Sequence, residues 1–265
     1  MALFDWNDKS KWLTAVDAYA ASVLPHSVRS SIARDRPECW SDDFSWLPVE
    51  HGEELFLQAF AEHYQLIRAY HACRTADVSS YLTRGLLGQS PDVLTAQAQN
   101  IFGDVPEEVV FTALQHMADR NATERGAFWV LLDGLELIEQ AGHYLIQGSE
   151  YLMALAAIVT DLYPQEDFRL RLRNTGIPTL FEVHLPVSYV RTAQLRSLTR
   201  LVLSEWGAMV ARRPMGRSGS PCLTVRRPVE PQYIVGHTHP ETIPDPHFGR
   251  ARFVNERIRC SHCGG

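Results

Sequence analysis

Apolar positions recur at helical spacing through "DKSKWLTAVDAYAASVL" and again through "GEELFLQAFAEHYQLI", separated by the polar, proline-bearing stretch "RDRPECWSDDFSWLPVEHG". Residues 1–65 therefore read as a helical N-terminal region, a cap or adaptor to the rest of the chain. From Leu66 the pattern shortens into apolar runs of strand length alternating with amphipathic helices. "LIRAYHAC" reads as a strand and "DVSSYLTRGL" as a helix started by Asp77 or Ser79. "VPEEVVFTALQHMADR" is a helix with Pro106 in its first turn. "GAFWVLLDG" is an apolar run between two glycines, "LELIEQAG" a short helix, and "HYLIQG" a strand. "SEYLMALAAIVTDLYP" is a helix capped by Ser149. "GIPTLFEVHLPVSYV" reads as a strand, "TAQLRSLTRLVLSEWGAMVA" as a helix and "EPQYIVGHTHP" as a late strand, while "RRPMGRSGSP" reads as a mobile loop. The order and lengths predict an α+β fold with its strands gathered into mixed sheets.

Composition narrows the class. With 265 residues, 45% of them hydrophobic, the chain is long enough for one large domain or a domain with a helical appendage. It contains no apolar run of about 18 residues and no basic-then-apolar leader, so a soluble, cytoplasmic protein without a membrane partner is expected. Five cysteines are too few and too scattered for a disulfide framework and fit a reducing compartment.

The net charge of −6 conceals an asymmetry: from residue 191 onward, twelve arginines face five acids, a balance of +7 that leaves −13 for residues 1–190. Arginine's planar fork suits phosphate and carboxylate. The group Arg212, Arg213, Arg217, Arg226 and Arg227 is therefore a candidate surface for a nucleotide or nucleic acid, set against the plain reading of solvated charge.

Three stretches in this order resemble the ADP-ribosyltransferase superfamily, the fold of diphtheria-like toxins and poly-ADP-ribose polymerases. "YHACRTADVSSYLTRGL" is similar to that family's opening strand, in which a terminal His or Arg is followed by a small residue, a helix and Gly-Leu. "HYLIQGSEYLMALA" is similar to its strand–Ser/Tyr–helix element, and "EPQYIV" to the late strand that opens on the catalytic glutamate. The likeness covers roughly residues 66–240. It implies a transferase-like domain over residues 66–250, with a Cys-containing tail at 251–265.

The resemblance implies NAD as substrate, ADP-ribose transfer to a macromolecule such as nucleic acid or protein, and a toxin or phage-defence role with an antitoxin or regulatory partner. Breaking the nicotinamide–ribose bond develops positive charge on the ribose, so the site must hold both groups and set a carboxylate beside the cation. By resemblance His71 would bond the adenosine ribose and the backbone of Ala72 would lie near the nicotinamide amide. Arg74 or Arg84 would meet the pyrophosphate, Tyr144 and Tyr151 would stack on the nicotinamide, and Ser149 would orient neighbouring groups. Each also has a plain structural reading: a core histidine, packing tyrosines, a helix cap.

The chain departs from the family where the glutamate should precede Tyr-Ile: Gln232 stands there, with Glu230 two residues earlier. On a strand both would share one face, which makes Glu230 and Gln232 the candidate catalytic pair. Glu150 is a further carboxylate, equally explained as a first-turn acid favoured by the helix dipole. If neither acid reaches the ribose, the chain is a transferase-like binding module.

A competing signal is "GHTHPETIPDPHF", whose His237-Thr238-His239-Pro240 matches the His-x-His-Pro core of the JAMM zinc isopeptidases. That family's serine and aspartate positions are occupied here by His247 and Arg250, so its third ligand is missing. The tail "RIRCSHCGG" adds Cys260 and Cys263, one knuckle of a zinc-ribbon type. His237 and His239 are candidates to complete a structural zinc site with them, although spacing alone leaves Cys222, His247 and His262 open as well.

Overall fold

The computed structural model describes residues 2–88, 90–118, 125–214 and 219–263, so Arg217, much of the Gly/Ser-rich loop around it and the terminal glycines lie outside the described residues. The fold is mixed α+β. It divides into two compact units, one formed by the chain up to Ala69 with His184–Thr224, the other by Tyr70–Val183 with Val225 onward.

The first unit gathers the expected N-terminal helices, Lys9–Val23 (α1) and Gly52–His63 (α3), with an additional helix, His26–Asp35 (α2), that the pattern does not predict. Asp8 caps α1 through a bond from Lys11 N. A two-residue strand, Leu3–Phe4 (β1), runs parallel to the start of Leu66–Thr75 (β2), pairing Leu3 with Leu66 and Phe4 with Ile67. Phe4 is fully buried, with Phe60 and Tyr64 edge-on at 5.1 and 5.2 Å. The long helix predicted late in the chain packs against these N-terminal helices: Leu195, Leu198, Val202, Leu203 and Trp206 form its buried stripe. Trp206 Nε1 donates to Asp17 at 2.9 Å, and Arg200 forks onto Glu53 at 2.8 and 2.9 Å.

Strands neighbour one another in the order β3-β2-β4-β6, where β3 is Phe128–Leu131, β4 is Ile177–Pro186 and β6 is Ile234–Thr238; the second unit holds β3, β6, β2 from Tyr70 and β4 up to Val183. The chain re-enters this unit at Val225, the last residue of Cys222–Val225 (β5). The β2–β3 and β4–β6 pairs are antiparallel, with Tyr70 opposite Leu131 and Phe181 opposite His237. Asp77 caps Val78–Arg84 (α4), and Gly85 ends it at φ +84°. Pro91–Ile101 (α5) is a helix beyond those predicted; Glu107–His116 (α6) is as expected, with Pro106 one step outside the first turn as its N-cap. Gly134–Ala141 (α7) starts on Asp133, and Glu150–Leu162 (α9) starts on Ser149, whose Oγ accepts from Leu152 N at 3.3 Å. A core of Phe102, Val105, Tyr151, Leu155 and Phe168 binds α5, α6 and α9 together.

Two expected strands are corrected. "HYLIQG" is not a strand: His143–Ile146 (α8) is a helical turn, closed by bonds from Leu145 and Ile146 N to Gly142 O. Leu145 and Ile146 are both fully buried, which adjacent residues of a strand with one exposed face would not be. "EPQYIV" becomes strand only at Ile234, because Pro231 cannot donate to a ladder and Pro231–Tyr233 coils into a 3₁₀ turn, Tyr233 N donating to Glu230 O at 3.0 Å. The expected sharing of one strand face by Glu230 and Gln232 is therefore not met. The chain after residue 250 is more than a tail: Ala251–Val254 (β8) pairs antiparallel with Thr242–Asp245 (β7). Among the described residues, no helix is long and apolar enough to cross a membrane.

Candidate functional site

A cavity of about 470 Å³ opens in the second unit, walled by the end of β2, by α4 and the turn after it, by the start of α5, by β3 and by the Tyr144–Leu152 segment. Its wall is set by the sequence motifs. The β2 strand brings His71, Ala72, Cys73 and Arg74 to it, α4 brings Ser80, Tyr81 and Arg84 with Asp77 at its cap, and the α8–α9 connection brings Tyr144, Ser149 and Glu150.

His71 Nδ1 lies 2.9 Å from Trp129 O, and because a carbonyl only accepts, the proton is on Nδ1 and Nε2 keeps its lone pair. The ring packs edge-on to Phe128 at 5.6 Å. Burial holds the imidazole below its ordinary pKa, so it is neutral. Tyr144 donates its hydroxyl to Glu150 Oε1 at 2.9 Å, and His143 Nε2 stands 3.8 Å from the same oxygen. Burial pushes the Cys73 thiol up to about 12, which leaves it a poor nucleophile.

Arg74 is on the cavity wall, but its guanidinium is committed to the protein's own backbone. Its guanidinium donates to three backbone carbonyls, Thr175 at 2.6 Å, Leu145 at 3.2 Å and Arg173, and so acts as an internal clamp. Burial, with Arg257 and Arg173 nearby, lowers its pKa to about 10. Arg84 is exposed on the cavity wall and has no ion-pair partner among the described residues. Tyr151 is fully buried in the α5–α6–α9 core and does not line the cavity, so the expected stacking role is not open to it. Asp77 lines the cavity, with a carboxylate oxygen committed to Ser80 N at 3.0 Å.

Glu230 and Gln232 are not among the lining residues. Glu230 is nonetheless close by, because Leu86 and Val229 form a bridge with N–H···O bonds of 2.9 Å in both directions. Gly85, on the wall, touches that segment: a Cβ there would sit 1.9 Å from Val229 O.

A second group of side chains gathers at the end of β6 and on the C-terminal turn. His237, His239, Cys260 and Cys263 bring one ligand atom each within 4.8 Å of all the others, a set that could hold a metal ion.

No protein-family model, curated protein or solved structure matches the chain.

Two of the three resemblance motifs thus meet at one cavity and the third begins beside it, while the four candidate metal ligands meet elsewhere. His247, open as a ligand from spacing, packs against the His143 ring at 5.4 Å, and Cys222 is exposed. Tyr81, Phe128 and Trp129 are cavity aromatics that the motifs do not single out. A signal for Trp129 is present in the sequence, since Phe128 and Val130 alternate inward along β3 and leave Trp129 facing the other way. Tyr81 stacks on Phe181 at 4.6 Å, a contact from β4 that local pattern does not carry.

Proposed function

We propose that the chain is an ADP-ribosyltransferase that cleaves NAD in the cavity beneath His71 and transfers ADP-ribose to a macromolecule. The observation that carries this reading is the convergence on one cavity of the strand "YHACR", the helix closing on Gly85-Leu86 and the segment Tyr144–Glu150, with Val229-Glu230 bridged to Leu86 at its edge. In the reaction the bond between ribose C1′ and the nicotinamide nitrogen breaks and its electron pair leaves with nicotinamide. A nucleophile of the acceptor then bonds C1′ and gives up its proton.

The residues take roles that fit their chemistry. Neutral His71, with Nε2 as acceptor, takes a ribose hydroxyl. Trp129 and Tyr144 offer aromatic faces for the nicotinamide. Exposed Arg84, rather than Arg74, meets the pyrophosphate. Glu150 is the carboxylate set to stabilise the developing cation, with Tyr144 fixing its orientation. The arginine-rich later part of the chain supports a nucleic-acid acceptor. For the His/Cys cluster we propose zinc, outside the reaction.

Titration calorimetry with NAD tests the binding half of this reading. Binding is expected in the micromolar-to-millimolar range, with His71→Ala weakening it about tenfold or more through loss of one directed hydrogen bond. Absence of heat at millimolar NAD, in protein with native circular dichroism, contradicts it.

A further inference from the structure

Four donor side chains, His237 on β6, His239 just after it, and Cys260 and Cys263 on the C-terminal turn, bring one ligand atom each to within 4.8 Å of one another. Cys260 Sγ and Cys263 Sγ lie 3.7 Å apart, and His237 Nε2 is 3.3 Å from the first and 3.7 Å from the second. With zinc–sulfur bonds of about 2.3 Å and zinc–nitrogen bonds of about 2.0–2.1 Å, a tetrahedron separates two sulfurs by about 3.8 Å and a sulfur from a nitrogen by about 3.6 Å. The five cysteines are free thiols, so no disulfide competes for this pair.

The surroundings prepare each ligand. His239 is 7% exposed, and its Nδ1 lies 2.8 Å from Pro178 O and 3.2 Å from Thr179 Oγ1. The carbonyl forces the proton onto Nδ1, leaving the Nε2 lone pair to the ligand group, and Nε2 is buried with no hydrogen-bond partner. An unpartnered buried acceptor is costly, and a metal ion removes the cost. The Cys-x-x-Cys turn is also prepared: His262 N approaches Cys260 Sγ at 3.4 Å and Cys260 N approaches Cys263 Sγ at 3.4 Å, N–H groups directed at sulfurs that become thiolates. Asn255, buried just after β8, turns the chain toward this point by bonding Pro240 O at 3.1 Å and Arg257 O at 3.0 Å.

We infer that His237, His239, Cys260 and Cys263 form a closed, structural zinc site that staples the C-terminal turn to β6. Two thiolates and two neutral imidazoles balance the charge of Zn²⁺, and the thiols release two protons on binding. Four protein ligands fill the tetrahedron and leave no position for a reactive water, so the site supports the fold and does not hydrolyse. The site is independent of the transferase reading, since it stands on the ligand geometry alone.

Metal analysis and cobalt substitution of the full chain test it. Protein purified without chelator is expected to carry close to one zinc per chain. Replacement by Co²⁺ should give the intense visible bands of four-coordinate cobalt with thiolate-to-metal charge transfer. His239→Ala and Cys263→Ser should each bind cobalt at least about 100-fold more weakly, whereas His262→Ala should leave affinity unchanged. The cobalt spectrum of the unmutated protein answers the question even where a variant fails to fold. Absence of zinc together with absence of a cobalt spectrum overturns the site, as does full affinity in His239→Ala. The weak bands of six-coordinate cobalt, or a spectrum showing bound water, overturn the closed structural assignment.

Discussion

Glu150→Gln is expected, on the proposed transferase reading, to slow nicotinamide release from NAD by about 10²–10³-fold, because that reading sets this carboxylate against the cation the reaction develops near its transition state. The substitution keeps the shape of the side chain and leaves the first turn of α9 capped by Ser149. NAD affinity should therefore change little, and the loss should fall on kcat. Tyr144→Phe removes the hydroxyl that holds Glu150 Oε1 at 2.9 Å, and is expected to cost about tenfold, the weight of one orienting hydrogen bond. Glu230→Gln should cost less than Glu150→Gln, since Glu230 is not in the cavity wall. Steady-state rates for the three variants check the order. A larger loss from Glu230→Gln moves the charge to the bridge beside Gly85.

Gly85→Ala is expected to destabilise the protein by about 3 kcal/mol or more. Gly85 has φ +84° and ψ −168°, a conformation that is essentially glycine's alone. The new Cβ would also fall 1.9 Å from Val229 O, a backbone atom that is held in the Leu86–Val229 bridge and has no rotamer to relax. Gly236→Ala is the matched control: it sits on β6 with nothing within 4 Å of a built Cβ, and its effect should stay within about 0.5 kcal/mol. Denaturant unfolding of both variants measures the difference. Equal midpoints would show that the α4–Gly85 turn is not a fixed corner.

The parts of the fold that are legible in the sequence carry their own local signals. Asp77 and Ser149 announce helix starts through side chains that bond nearby backbone N–H groups, and both are the observed caps. "LIRAYHAC" and "GIPTLFEVHLPVSYV" have the β-branched or aromatic content of buried strands, and both form them, the second only as far as Pro186, after which Val187–Tyr189 coils into a 3₁₀ turn. "HYLIQG" reads as a strand yet folds as a turn of helix because a short apolar run has no period of its own, and Gly142 and Gly148 bound it as they would bound either element. The late strand begins four residues after Glu230 because Pro231 interrupts it, and a proline's missing donor outweighs the apolar pattern around it. Helix α5 is hard to see in the sequence because "PDVLTAQAQNI" offers few large apolar residues to mark a face. The Cys-x-x-Cys and His-x-His spacings point to a metal, but choosing His237 and His239 over His247 and Cys222 needs the β6 register and the Asn255 turn, which are tertiary. Tyr151 sits apart from the cavity for the same kind of reason: its neighbours Phe102 and Phe168 come from other elements.

Whether this cavity breaks the nicotinamide–ribose bond is decided by incubating the protein with NAD labelled separately in nicotinamide and in adenine, together with mixed RNA, DNA and protein. Free labelled nicotinamide is expected, with adenine label recovered on one class of macromolecule and both signals lost in Glu150→Gln. Intact NAD after prolonged incubation with folded, metal-replete protein would contradict the transferase reading.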